Sequence, residues 1–279
     1  GTFYAPGSWV DVVDPVLNVV TDQRYSTTRN WLTIGIGTVA PNPQEGQTAL
    51  EDALSTIKNG TFYGCVCGGG GPVTILGGTF SSSYATVRNA AAKNSENGSF
   101  ILIKGGTFTT TGDACILIFN FPFSKQAEAH PDKACVVIDG GKFIGATGGV
   151  LDIQGTPYFV LMRDELKAKG DYTLEEVRAL IEEKCPGPFY SVVINGGEMI
   201  NENNGGNSNI FWVRNDSWNC KLIINDGIFT HRNGSRGGFN AAGATVIING
   251  GEFSSDVKIV SAHDGDCCSP IVINGGTFT

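Results

Sequence analysis

The chain has 279 residues, of which 39 are glycine, 41 % are hydrophobic and only 16 % are charged. That is too apolar for a disordered chain, and too rich in glycine and poor in charge for a helical bundle or coiled coil. The glycines follow no Gly-X-Y period, which excludes collagen. The net charge of −8 argues against nucleic acid as a partner, because phosphate binding needs clustered Lys and Arg.

In chain order, the N-terminus reads Gly1-Thr2-Phe3-Tyr4-Ala5-Pro6-Gly7, with no basic region leading into an apolar stretch. No signal peptide is expected in this form, although a matured chain would have lost one. No apolar run reaches the roughly 18 to 20 residues of a membrane span, so none is expected. Residues 1–56 form an N-terminal segment and cap. Its last part, Thr48 to Thr56, is expected to be a short helix covering the open end of the repeat region, where unpaired strand edges would invite aggregation.

From residue 57 to 279 one phrase recurs: Val73-Thr-Ile-Leu-Gly-Gly-Thr-Phe80, Ile101-Leu-Ile-Lys-Gly-Gly-Thr-Phe108 and Val136-Val-Ile-Asp-Gly-Gly-Lys-Phe143. It returns as Val192-Val-Ile-Asn-Gly-Gly-Glu-Met199, Leu222-Ile-Ile-Asn-Asp-Gly-Ile-Phe229, Val246-Ile-Ile-Asn-Gly-Gly-Glu-Phe253 and Ile271-Val-Ile-Asn-Gly-Gly-Thr-Phe278. A weaker copy lies at Ile57-Lys-Asn-Gly-Thr-Phe62. A short β-branched run favours a strand, and residues two apart share a face. Asn-Gly or Gly-Gly supplies the positive φ of a tight bend, and the Phe after it turns inward. Second strands are expected between copies, at Ala114–Phe119, Val150–Ile153, Ile210–Val213 and Val257–Val260. Each copy is then one coil of strand, bend and strand, and the coils stack about 4.8 Å apart as an all-β parallel β-helix solenoid. One insertion, 160–186, breaks the repeat. It is highly charged and carries Leu174, Val177, Leu180 and Ile181 at helical spacing behind the capping box Thr173-Leu174-Glu175-Glu176.

The repeat resembles the right-handed, pectin-lyase-like β-helix domains of secreted and cell-surface bacterial proteins. The segment Gln47–Leu54 followed by Asn59-Gly-Thr-Phe-Tyr63 likewise resembles the capping helix and first strand of phage tailspikes and related enzymes. The resemblance implies a right-handed solenoid and an extracellular or cell-surface location.

Within each three-residue strand the first and third positions face the core. The middle position reads Thr74, Leu102, Val137, Val193, Ile223, Ile247 and Val272, six of seven apolar. A sheet apolar on both faces is buried on both, so something covers this stripe. Two coverings stand open: the insertion helix or N-terminal segment of the same chain, or a lateral contact with another copy. The ends, Gly1-Thr2-Phe3 and Gly276-Thr277-Phe278-Thr279, carry parts of the repeat without caps, as in a piece of a longer repeat protein or a subunit that meets partners head to tail.

Enzymes of this fold invite a test for chemistry. By resemblance, polygalacturonase-type hydrolases carry paired aspartates before a Cys, then Gly-His-Gly and Arg-Ile-Lys. Gly112-Asp113-Ala114-Cys115 and Asp264-Gly265-Asp266-Cys267 echo the first element, and the other two are absent. Glycoside hydrolysis needs two carboxylates across the bond, so turn roles are expected for Asp113, Asp264 and Asp266. No acidic cluster recurs for calcium, and His130, His231 and His263 lack zinc-ligand spacing, so no metal or cofactor is expected. Cys65, Cys67, Cys267 and Cys268 are expected as buried thiols or disulfides. Asn195, Asn225, Asn249 and Asn274, each before a bend, are expected to stack as an amide ladder. Thr79, Thr107 and Thr277 suggest a threonine array for ordering water, but Lys142, Glu198, Ile228 and Glu252 interrupt it. Sequons stand at Asn59, Asn97, Asn215 and Asn233. Tyr158, Tyr190, Trp212 and Trp218 are candidate carbohydrate contacts or core packing.

The expectation is an extracellular, non-enzymatic structural or adhesive protein that assembles with itself into a filament or surface layer, or forms part of a longer surface protein. Surface glycans are candidate partners. The alternative is a carbohydrate-binding or carbohydrate-active β-helix, a polysaccharide lyase or hydrolase or a phage receptor-binding fibre.

Overall fold

The computed structural model describes residues 1–4, 7–13, 20–27, 32–36, 55–68, 73–90, 101–112, 114–119, 136–145, 149–154, 176, 190–201, 209–213, 220–232, 239–241, 245–256, 259–262 and 271–279. Among them the strands form three parallel sheets of eight, nine and eight strands and one antiparallel pair, Gly7–Val13 with Val20–Thr27. The chain visits the three sheets in turn. Val73–Ile75 lies in the first, Thr79–Ser82 in the second and Val87–Ala90 in the third, and Ile101–Ile103 then returns to the first. Each visit adds a strand beside the one laid down a coil earlier, which gives a solenoid-like stack.

The sequence expectation of two strands per coil is thus corrected to three. The Phe after the bend belongs to a strand of its own sheet, as in Thr79–Ser82, Thr107–Thr110 and Lys142–Gly145. The physical reason is visible in Thr79-Phe80-Ser81-Ser82, whose exposure alternates with period two as in any half-buried strand. The expected second strands are those of the third sheet. Three keep nearly the expected bounds, as Ile116–Phe119, Leu151–Gln154 and Phe211–Val213. The fourth is displaced to Val260–Ala262, where it pairs with Phe239–Ala241.

The N-terminal segment also adds strands to these sheets. Thr2–Tyr4 pairs with Thr61–Tyr63, and Leu32–Ile36 pairs with Cys65–Gly68. Ser55–Ile57 is a strand beside Val73–Ile75, so the end of the expected Thr48–Thr56 helix is extended instead; residues 48–54 lie outside the described residues. Pairing of Thr56 and Ile57, both β-branched, with Thr74 and Ile75 outweighs local helix preference. Of the expected helical insertion 160–186 only Glu176 is described, with helical backbone.

The interior is a set of side-chain columns. The first sheet contributes Val73 and Ile75, Ile101 and Ile103, Val136 and Ile138, Val192 and Ile194, all buried. The second contributes a stack of phenylalanines. Phe62, Phe80, Phe108 and Phe143 lie nearly parallel at 4.7, 4.6 and 4.7 Å between centroids, and Phe229, Phe253 and Phe278 follow at 4.6 and 4.8 Å. Those spacings match the inter-strand distance, so each ring rides on its own rung. Met199 takes the position between the two runs, and Phe211 of the third sheet meets Phe229 edge-on there, at 5.6 Å and 62°.

The paired glycines of the bend do two different jobs. The second has positive φ, for example +115° at Gly106, which L-residues with a side chain rarely adopt. The first has no room for a side chain. A Cβ on Gly105 would lie 2.8 Å from the Leu76 carbonyl of the coil below. Main-chain bonds continue across the bend, as in Lys104 N–H to Ile75 O at 2.8 Å and Thr107 N–H to Gly78 O at 2.9 Å.

Candidate assembly surface

The outward column of the first sheet is continuous and in register. Thr74 pairs with Leu102, Leu102 with Val137, Val137 with Val193, Val193 with Ile223, Ile223 with Ile247 and Ile247 with Val272. The positions on either side of each from Thr74 to Ile247 are buried, so these side chains point out. Thr74 through Ile247 are half-buried and Val272 is 44 % exposed. The column is one side chain wide, and its β-branched members shield one another along the stack.

Beside it, at the end of each strand, runs a column of hydrogen-bonded amides. Asn274 Nδ2 donates to Asn249 Oδ1, Asn249 Nδ2 to Asn225 Oδ1 and Asn225 Nδ2 to Asn195 Oδ1, each at 2.8 Å; Asn195 Nδ2 donates to Asp139 Oδ1 at 2.9 Å. The expected asparagine ladder is therefore present, and it has a direction. Every amide donates toward the N-terminal coils, and the one acid in the run sits at the end where only an acceptor is required. Recurrence in sequence points to the asparagines; Asp139 was missed because it is not one. On the other flank Lys221 and Thr245 pair in register, both half-buried.

The second sheet presents a mixed outer face. Thr79, Thr107, Lys142, Glu198, Ile228, Glu252 and Thr277 form one column, in which Lys142 Nζ and Glu198 Oε2 make an ion pair at 2.9 Å. Ile228 is 50 % exposed. Next to it Arg232 reaches Asp256 Oδ1 at 2.9 Å and Ser254 Oγ at 2.7 Å.

Of the candidate carbohydrate residues, the two that are described lie in different sheets. Tyr190 begins a strand of the first sheet and Trp212 lies in the third; Tyr158 and Trp218 are outside the described residues. Trp212 is half-buried, in register beside Asp152, which is fully buried although its neighbours Leu151 and Ile153 face the core. Asp113, Asp264, Asp266, His130, His263, Cys267 and Cys268 are likewise outside the described residues. Among the described residues no group of three His, Cys, Asp or Glu could hold a metal ion. No described helix is long and apolar enough to cross a membrane.

Nothing in the residue pattern foretold the buried polar column Ser82, Thr110, Asn201 and His231, at the end of the second-sheet strands. Its members find partners locally. Thr110 Oγ1 donates to Tyr84 O at 2.8 Å, Asn201 Nδ2 donates to Asn209 O at 2.7 Å, and His231 Nδ1 is 3.2 Å from Ser255 Oγ. Cys65 and Cys115 are buried thiols. Burial pushes the Cys115 thiol up to about 12, against backbone hydrogen bonding at Thr110 and Ile144 that acts the other way. Compared with known families, curated proteins and solved structures, the chain matches none.

Proposed function

We propose that the chain is a right-handed parallel β-helix of the pectin-lyase-like kind, extracellular and non-enzymatic, whose role is structural or adhesive through contact with further copies of itself. The observation that carries this reading is the in-register outward column from Leu102 through Val137, Val193, Ile223 and Ile247 to Val272, apolar throughout and half-buried or exposed. Right-handedness follows from the strong preference of parallel crossovers. The extracellular location rests on the sequence resemblance, as does the absence of an activity, since the hydrolase elements Gly-His-Gly and Arg-Ile-Lys are missing.

The size of the stripe limits what it can do alone. Six rungs at about 4.8 Å by one side chain of about 6 Å give roughly 170 Å² of stripe, against about 800 Å² per partner in a standard interface. The stripe is therefore the dry centre of a broader contact, with the asparagine ladder and the Lys221–Thr245 flank as its polar rim. The test is the double substitution Ile223→Lys with Ile247→Lys, followed by analytical ultracentrifugation. Folded monomers are expected, from a parent that associates. Association that survives the change at equal strength would overturn the reading.

A further inference from the structure

Six coils place glycine first in the bend, at Gly77, Gly105, Gly140, Gly196, Gly250 and Gly275, and two place an acid or amide there, Asn59 and Asp226. In both exceptions the side chain folds onto the next residue. Gly60 N–H donates to Asn59 Oδ1 at 2.8 Å, and Gly227 N–H donates to Asp226 Oδ1 at 2.8 Å. Asn59 is exposed, and among the described residues nothing else holds its carboxamide. The chain has three further described Asn-Gly pairs, beginning at Asn195, Asn249 and Asn274, one position earlier in the bend. There the carboxamide is drawn along the stack instead, and Asn195 and Asn249 each donate to one coil and accept from another.

We propose that Asn59 is a self-modification site, converting by cyclisation onto Gly60, and that the amide ladder protects the other Asn-Gly pairs. The Gly60 nitrogen attacks Asn59 Cγ, the new C–N bond closes a succinimide, and the Cγ–Nδ2 bond breaks. Ammonia leaves, carrying the proton lost by the Gly60 nitrogen. Water then opens either ring carbonyl, to give aspartate or isoaspartate. Glycine imposes no side-chain obstruction on the attack, and the bend holds nucleophile and carboxamide together. In the ladder, the same reaction requires a carboxamide to abandon one or two hydrogen bonds and turn back on its own chain. Asp226 shares the bend geometry but carries a carboxylate, whose leaving group is poorer.

The test is peptide-mapping mass spectrometry of the intact chain held at mildly alkaline pH, with a parallel sample in urea. Asn59 is expected to convert roughly tenfold or more faster than Asn195 and Asn249 in the native protein, with the difference lost in urea. Equal native rates, or faster conversion in the ladder, would overturn the proposal. In Asn225→Ala, checked for native circular dichroism, the rates at Asn195 and Asn249 should rise while Asn59 stays unchanged. Unchanged ladder rates in the folded variant would refute the protective role, and if that variant fails to fold, the native rate ratio decides alone.

Discussion

Phe108→Ala probes the stacked interior where it is most complete. The ring is fully buried and lies between two parallel neighbours, Phe80 at 4.6 Å and Phe143 at 4.7 Å. Truncating a core Phe costs about 3–5 kcal/mol, and loss of stacking on both faces puts this site near the upper end. Phe278 is the contrasting case, 37 % exposed with one stacked neighbour, Phe253, and its truncation should cost about 1–2 kcal/mol. In a stack where each coil touches only its neighbours, the damage stays local. Native-state hydrogen exchange reads this directly. At about 1.4 kcal/mol per tenfold change, protection in Ile101–Ile103, Thr107–Thr110 and Lys142–Gly145 should fall by about two to three and a half decades, while Thr245–Ile248 keeps its rates. A uniform loss over the chain, or equal losses for Phe108→Ala and Phe278→Ala, would refute the column-by-column description.

Three further outcomes are expected. Asn249→Ala removes two ladder bonds at an exposed site and should cost about 1–2 kcal/mol in urea unfolding, whereas Asp139→Asn keeps the acceptor that Asn195 needs and should be nearly neutral. Gly250→Ala should cost several times more than Gly77→Ala, because its Cβ would meet the Asn225 carbonyl at 2.5 Å, against 3.2 Å from the Lys58 carbonyl; paired thermal melts check this. Cys115 should resist alkylation near pH 8 in the native protein and react once unfolded. Since its thiol titrates near 12 when folded and near 9.0 otherwise, its contribution to stability is full below about pH 9 and is lost as pH rises toward 12, which urea titrations across that range would follow.

The phrase Val136-Val-Ile-Asp-Gly-Gly-Lys-Phe143 already carries most of the fold, because a period of two and a glycine bend are local properties. Its inward and outward positions are those observed. The separate sheet of the Phe strands escaped notice because Thr79-Phe80-Ser81-Ser82 follows the bend so closely that the Phe reads as part of it. Ser55–Ile57 was hidden for a different reason: its partner, Val73–Ile75, is a coil away, and the preceding residues favour helix on local grounds. The stripe was legible as a column, but its narrowness and half-burial depend on how neighbouring coils shield each other. The direction of the amide ladder, and Asp139 at its accepting end, depend on hydrogen-bond geometry that residue types alone do not fix.

Negative-stain electron microscopy of the native protein over a range of concentrations tests the central claim most directly. Filaments or sheets with a regular axial repeat are the expected result, with the outward face of the first sheet as a contact between copies. Isolated short rods at every concentration would contradict it, and would mean that the column from Leu102 to Val272 serves only the stacking of its own coils.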